Sequence, residues 1–340
     1  MLLKLGTLGR YFASSLWISL ATMGILFWIT GDLRTLYVAT ILASLEVSLS
    51  FDNAVVNART LERMEPIWQA RFIWLGIPIA VFGMRLLFPL VLVYLTTPLS
   101  FSNVIHTALY APTDYAHALH AGYPLISAFG SAFLFMVFFH FLFELDRPVH
   151  WLNCIEKNRQ VLRASQYPFS AALCTVILGV LWMLYRPQIS CAIAYFLGIV
   201  CYQMIHSGSA YFLKSAAAAG KAMKLGWAGF IYLEVLDASL SFDGVIGAFA
   251  ISTHILVILV GLGIGALFVR SFTLYFVEQK TLSKLKYLEH SAYYAIGALA
   301  VIMLLKNAVE ISEVVSGSVG LIFITVGIIS SFSGRLGRRN

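Results

Sequence analysis

Charged residues are scarce in this sequence. Asp, Glu, Lys and Arg make up only 11% of the 340 residues, whereas hydrophobic residues make up 60%. Soluble globular domains carry roughly 25% charged residues, so the composition excludes that class. It predicts instead a protein whose helices lie in a lipid bilayer.

Several functional motifs are also missing. The four cysteines form no Cys-x-x-Cys pair, which argues against a disulfide framework and against a thiolate metal site. The chain has no P-loop, so direct ATP hydrolysis is not indicated, and we predict no cofactor and no enzyme activity. We attribute the net charge of +7 to attraction to an anionic membrane leaflet, not to nucleic acid.

Long apolar stretches account for most of the chain. About ten of them approach the roughly 20 residues that a membrane-spanning helix needs. They cover residues 11–30, 33–58, 72–95, 123–143, 167–185, 189–213, 225–251, 254–277, 288–306 and 318–333. The predicted fold is therefore an all-α, polytopic membrane protein with about ten transmembrane helices.

The basic residues predict how these helices are oriented. With a cytoplasmic N-terminus, 18 of the 23 Lys and Arg residues fall on the cytoplasmic side, three outside and two within spans. Because cytoplasmic loops carry an excess of Lys and Arg, both termini are expected in the cytoplasm. The predicted location is the bacterial inner membrane. The sequence leaves open whether the protein forms a homo-oligomer.

A short acidic motif occurs twice within these apolar stretches. Residues 46–53 read Glu-Val-Ser-Leu-Ser-Phe-Asp-Asn, and residues 237–244 read Asp-Ala-Ser-Leu-Ser-Phe-Asp-Gly. A charged side chain at the bilayer centre costs roughly 2.5–3.5 kcal/mol, so such residues indicate a functional site. The duplication predicts a transporter built from two halves that share one site.

The repeat extends into the span that follows each motif. Arg85 lies nine residues after Gly76, and Arg270 lies nine residues after Gly261. The motifs fall in spans two and seven, which are five crossings apart. An odd number of crossings reverses the orientation of a helix in the membrane. We therefore predict two inverted repeats, residues 1–186 and 187–340, within one membrane domain.

The spacing inside each motif predicts a broken helix. Residues six apart on a straight helix lie about 120° apart, so the two acids of one copy would face different directions. Serines flank the expected break, at Ser48 and Ser50 in the first copy and at Ser239 and Ser241 in the second. Local unwinding at the midplane would turn the acids toward a common point.

These observations predict a cation site with oxygen ligands, as hard divalent ions prefer. The candidate ligands are Glu46, Asp52, Asn53, Asp237 and Asp243, with Glu234 as a further member that has no counterpart in the first copy. Supporting roles are assigned to Ser48, Ser50, Ser239, Ser241, Arg85 and Arg270. The five acids and two arginines leave a charge of −3 for protons or a metal ion to neutralise. An alternative is that the acids and arginines only pair to lock helices together.

The paired motifs resemble those of the TerC family of bacterial integral membrane proteins. The match is Glu46, Asp52 and Asn53 in one half and Asp237, Asp243 and Gly244 in the other. The residues around the second copy resemble those of a TerC-like branch rather than those of TerC itself. In TerC itself, serine usually stands where this sequence has Gly244. The resemblance implies kinship with LysE-type exporters and an association with manganese export and, by older naming, tellurium resistance.

The leading expectation is a secondary transporter that exports a divalent cation, with Mn²⁺ favoured over Ca²⁺ or Mg²⁺, coupled to protons or to the membrane potential. One alternative is a membrane accessory protein that delivers metal to secreted proteins. Another is an exporter of a small organic solute such as an amino acid. An intramembrane aspartyl protease is disfavoured because phenylalanine precedes both Asp52 and Asp243.

Histidines form two further groups. His106, Asp114, His117 and His120 lie between spans three and four and are candidate collectors of a divalent ion. His140 and Glu144 are four residues apart near the inner end of span four, and therefore share a helix face. A role for them in an exit path or a proton relay stays open, as does any role for His206 in span six.

Overall fold

A computed structural model describes residues 2–144, 149–218, 226–252, 254–309 and 311–336. Within these ranges the chain forms helices and no β-strand. The helices are α1 Leu2–Thr30, α2 Leu33–Leu49, α3 Phe51–Glu62, α4 Pro66–Trp74, α5 Gly76–Pro78, a π-helical segment Ile79–Leu87, α6 Phe88–Thr96, α7 Phe101–Tyr110, α8 Pro112–Leu142, α9 Asn153–Glu156, α10 Arg159–Ala164, α11 Ser170–Tyr185, α12 Ile189–Ala218, α13 Trp227–Ile251, α14 Ile255–Glu278, α15 Thr281–Lys284, α16 Leu288–Leu305 and α17 Glu313–Leu336.

Every one of the ten predicted apolar stretches coincides with helix. Among the described residues, six helical runs are long and apolar enough to cross a membrane, and the bent pair α2–α3 makes a seventh. The six are Tyr11–Thr30, Pro66–Leu95, Pro112–Leu142, Ile189–Gly208, Ile255–Glu278 and Leu288–Leu305. The three remaining stretches are not among these spans. The stretch at 225–251 corresponds to α13, which has 25 residues but carries three acids. The stretches at 167–185 and 318–333 correspond to shorter apolar helices. The all-α, multi-pass membrane architecture is confirmed.

The predicted break is present in the first motif only. Helices α2 and α3 meet at Ser50 with a bend of 53°. Helix α13 runs without interruption from Trp227 to Ile251, so the break predicted at residues 239–244 is wrong. The hydroxyl of Ser239 donates to the carbonyl of Val235 at 2.8 Å, one turn back within a regular helix. Helix α13 therefore has no break that would turn its acids toward a common point.

A π-helical segment carries Arg85. Pro78 precedes this segment and Pro89 follows it. Because proline has no N–H to donate, each removes a hydrogen bond from the regular α-helical ladder. Arg85 donates through Nη1 to the carbonyl of Ala80 within the same segment. Wider helical turns of this kind are frequent at functional sites.

Close packing between α2 and α14 places the first motif against the second half of the chain. A Cβ on Gly261 would lie 2.6 Å from Cβ of Leu42, and one on Gly265 would lie 2.9 Å from the carbonyl oxygen of Ala43. The small residues spaced four apart, Gly261 and Gly265, thus allow the two backbones to approach.

Candidate functional site

The two motif copies face each other in the protein interior. Nδ2 of Asn53, in the first copy, donates to Oδ1 of Asp237, in the second, at 2.6 Å. Both side chains are buried, and α2, α3, the π-helical segment, α13 and α14 pack around them. The repeat therefore forms one composite cluster from both halves of the chain.

Glu46 forms a buried ion pair with Arg85. The two side chains are 1% and 2% exposed, and Oε1 of Glu46 also accepts from the hydroxyl of Ser50 at 3.1 Å. Nη2 of Arg85 reaches across to the hydroxyl of Ser241 at 3.1 Å. Arg85 thus connects the acid of the first copy with a serine of the second.

Two glycines provide the space that Glu46 occupies. A Cβ on Gly244 would lie 2.9 Å from Oε2 of Glu46, and one on Gly265 would lie 2.5 Å from its Cβ. Gly244 is the last residue of the second motif. Its lack of a side chain leaves room for the Glu46 carboxylate.

Arg270 forms the second buried arginine–acid contact. Its Nη2 lies 3.4 Å from Oε1 of Glu234, and its Nη1 donates to the carbonyl of Phe72 at 2.9 Å. The guanidinium also lies over the Phe72 ring, 4.2 Å from the centroid. A Cβ on Gly76 would overlap Arg270, so this glycine of the first half provides the space for it. Both arginines therefore contact acidic side chains in the protein interior.

A small cavity of about 10 Å³ lies between these groups. It is lined by Glu46, Ser50, Asn57, Ala80, Arg85, Asp237, Ala266, Val269 and Arg270. A volume of this size is close to the 10–15 Å³ that one water-sized species needs. The cavity can therefore accommodate a single small ion or water molecule, but no organic solute.

Several buried oxygens at this cluster accept no hydrogen bond from the described protein. They are Oδ2 of Asp237, Oδ1 of Asn53, Oδ1 of Asn57 and Oε2 of Glu234. Buried polar atoms normally have partners, so a group of unpartnered acceptors indicates a cationic or hydrogen-donating ligand. Asn57 was missed by the sequence reasoning. Its position four residues after Asn53, on the same helix face, was the available signal.

The remaining predicted ligands lie elsewhere. Asp52 is buried but faces α17, because a Cβ on Gly320 would lie 3.6 Å from its carboxyl group. Ser48 is exposed and its hydroxyl donates to the carbonyl of Ser44 at 2.9 Å, while Ser239 bonds within α13. Asp243 lies on α13, but its side chain is outside the described part of the structure.

The acids do not gather into one group. Across the described residues, no three His, Cys, Asp or Glu side chains are placed to hold a metal ion together. Glu234 and Asp237 share a face of the unbroken α13, but the two arginines pair with Glu46 and Glu234. Ligation at the cluster would therefore rely on amide and hydroxyl oxygens beside the carboxylate of Asp237. His106, Asp114, His117 and His120 are exposed on α7 and the start of α8.

A second, much larger cavity opens close to the small one. Its volume is about 680 Å³, and its walls include Arg59, Thr60, His140, Glu144 and His206. Thr60 of α3 lines this cavity and Asn57 lines the small one. Three residues of α-helix rise about 4.5 Å, so the two cavities are roughly one turn apart along α3.

Together these features define a multi-pass, all-α membrane protein with a buried charged cluster where its two repeated motifs meet. The chain belongs to the family described as "Protein of unknown function (DUF475)", whose model matches residues 51–336. This match begins inside the first motif and includes all of the second. No curated protein and no solved structure matches the chain.

Proposed function

We propose that this protein is a secondary transporter that exports a divalent metal cation across the bacterial inner membrane. The observation that carries the proposal is the set of buried, unpartnered oxygens on Asp237 and Asn57, which line an ion-sized cavity, and on Asn53, which donates to Asp237. Oxygen ligands of this type suit Mn²⁺, Ca²⁺ and Mg²⁺. The TerC-like motifs favour Mn²⁺ among the three.

The charge balance at the cluster supports a cation as substrate. Glu46 is paired with Arg85, and Glu234 with Arg270, so each of these acids has a counter-charge. The carboxylate of Asp237 has only an amide hydrogen bond among the described contacts. A buried carboxylate without a counter-charge is costly, so a metal ion or a proton must neutralise it. Exchange of metal for protons at Asp237 would couple export to the proton gradient.

The large cavity supports access to this site from one side. It carries Arg59 and Arg63, which the distribution of basic residues assigns to the cytoplasm. The described conformation would then be open inward, and movement of the two inverted halves would open the opposite side. With cytoplasmic termini, reporter fusions at both ends should report the same side of the membrane.

The test is Mn²⁺ binding and flux with purified protein reconstituted in sealed vesicles. We expect saturable Mn²⁺ binding and uptake into vesicles for the wild type, and loss of both for Asp237→Asn. Ser48→Ala is the matched control, because Ser48 is exposed and bonds only to its own helix among the described contacts. Binding without flux would favour the metal-delivery alternative. Wild-type protein that binds no divalent cation would overturn the proposal.

A further inference from the structure

A pair of histidines lies in the wall of the large cavity. His140 comes from α8 and His206 from α12, and their ring centroids are 4.1 Å apart with the planes at 59°. Both side chains are exposed, and both line the cavity of about 680 Å³. We propose that this pair binds a transition-metal ion of the Zn²⁺ type, at a site separate from the oxygen cluster around Asp237.

The surrounding structure holds the two imidazoles close together. A Cβ on Gly198 would lie 2.4 Å from the carbonyl oxygen of Phe129, so α8 and α12 are in near backbone contact. Tyr202, also on α12, stacks parallel to His206 with ring centroids 5.8 Å apart, and its ring lies 5.9 Å from His140. The pair is therefore positioned by helix packing and by an aromatic neighbour.

The contacts of the pair leave its nitrogens available. The described contacts of His140 and His206 are with aromatic rings, and no hydrogen bond engages their ring nitrogens. Two adjacent imidazolium rings would repel each other, which favours neutral rings with a lone pair each. A metal ion between them would use these lone pairs, and the cavity has room for water to complete its coordination.

The chemistry of the pair differs from that of the acidic cluster. Imidazole nitrogen suits Zn²⁺, Ni²⁺ and Cu²⁺, whereas carboxylate and amide oxygens suit Mn²⁺, Mg²⁺ and Ca²⁺. Glu144 lies nearby but is paired with Arg59 at 3.0 Å. Since the described part of the chain offers no group of three metal-binding side chains, the ion would have two protein ligands and exchange readily.

The experiment is a calorimetric titration with Zn²⁺ of the purified full-length protein. It compares the wild type with His140→Asn and His206→Asn. Loss of an outer-shell partner alone weakens metal binding by about 10–100-fold, so loss of one of two ligands should weaken it at least tenfold. His254→Asn is the control, because this exposed histidine at the start of α14 lies outside the cavity. It should retain the wild-type affinity.

Co²⁺ provides a second readout that a merely structural role would not change. Its visible absorption spectrum should report nitrogen ligation in the wild type and in His254→Asn, and should lose that signature in both cavity variants. Unchanged Zn²⁺ affinity and Co²⁺ spectra in properly folded cavity variants would overturn the proposal. Mn²⁺ binding should depend on Asp237 and not on the two histidines, so this site and the proposed transport site can fail independently.

Discussion

The side chain of Asn53 connects the two copies of the repeated motif by donating a 2.6 Å hydrogen bond to Asp237. This contact uses the NH₂ group of the amide and one carboxylate oxygen. It leaves Oδ1 of Asn53 and Oδ2 of Asp237 buried without a described partner. A single hydrogen bond thus orients both side chains and leaves one buried acceptor oxygen on each.

Replacing Asn53 with alanine should destabilise the protein and weaken cation binding. The change leaves Oδ1 of Asp237 buried without its donor, and an unsatisfied buried group costs about 1–3 kcal/mol. We expect a lower apparent melting temperature in detergent and weaker Mn²⁺ binding. Ser48→Ala should change neither. An Asn53→Ala variant with wild-type melting and affinity would contradict the assigned role.

Asp237 and Asp52 should differ in their importance for the bound ion. Asp237 lines the small cavity, whereas Asp52 faces Gly320 on α17. Asp237→Asn keeps the oxygen that accepts from Asn53 but removes the negative charge that a divalent ion would neutralise, so it should weaken Mn²⁺ binding by about tenfold or more. Asp52→Asn should have a clearly smaller effect. Equal losses in a binding titration would show that Asp52 also reaches the ion.

Removal of Arg85 should be tolerated only when Glu46 is also changed. Breaking a buried ion pair from one side costs about 3–5 kcal/mol, because the remaining charge has no partner. We expect Arg85→Met to lower the apparent melting temperature strongly. Adding Glu46→Gln should recover much of that loss, as measured by thermal unfolding of all three variants. A double variant as unstable as the sum of the single changes would argue against a direct pair.

A methyl group at Gly265 should disrupt the contact between α2 and α14. Its Cβ would lie 2.5 Å from Cβ of Glu46 and 2.9 Å from a backbone oxygen, so the helices would have to move apart. Overpacking of this kind costs about 1–3 kcal/mol. Gly208→Ala is the control, since nothing lies within 4 Å of a Cβ there. Gly265→Ala should melt at a lower temperature than the wild type, and Gly208→Ala should not.

The amino-acid sequence by itself determined the class of protein and the positions of its helices. Continuous apolar stretches can satisfy their backbone groups in lipid only as helices, and all ten coincide with helix in the structure. The duplicated motif also identified Glu46, Asn53 and Asp237 as members of the cluster, and Arg85 and Arg270 as partners of buried acids. These inferences depended on composition, spacing and the cost of burying charge, which are local properties of the chain. The inverted repeat itself stays a prediction.

Only the tertiary structure decided which oxygens share a cavity. Sequence spacing treats the two motif copies as equivalent, yet α2–α3 bends at Ser50 while α13 stays straight. Contacts between distant segments also differ between the copies, since Gly244 of the second copy leaves space for Glu46 of the first. The same long-range packing turned Asp52 toward α17, brought Asn57 into the cavity and placed His140 beside His206. The angle between helices depends on which side chains meet at their contact, and the order of residues along one helix does not contain that information.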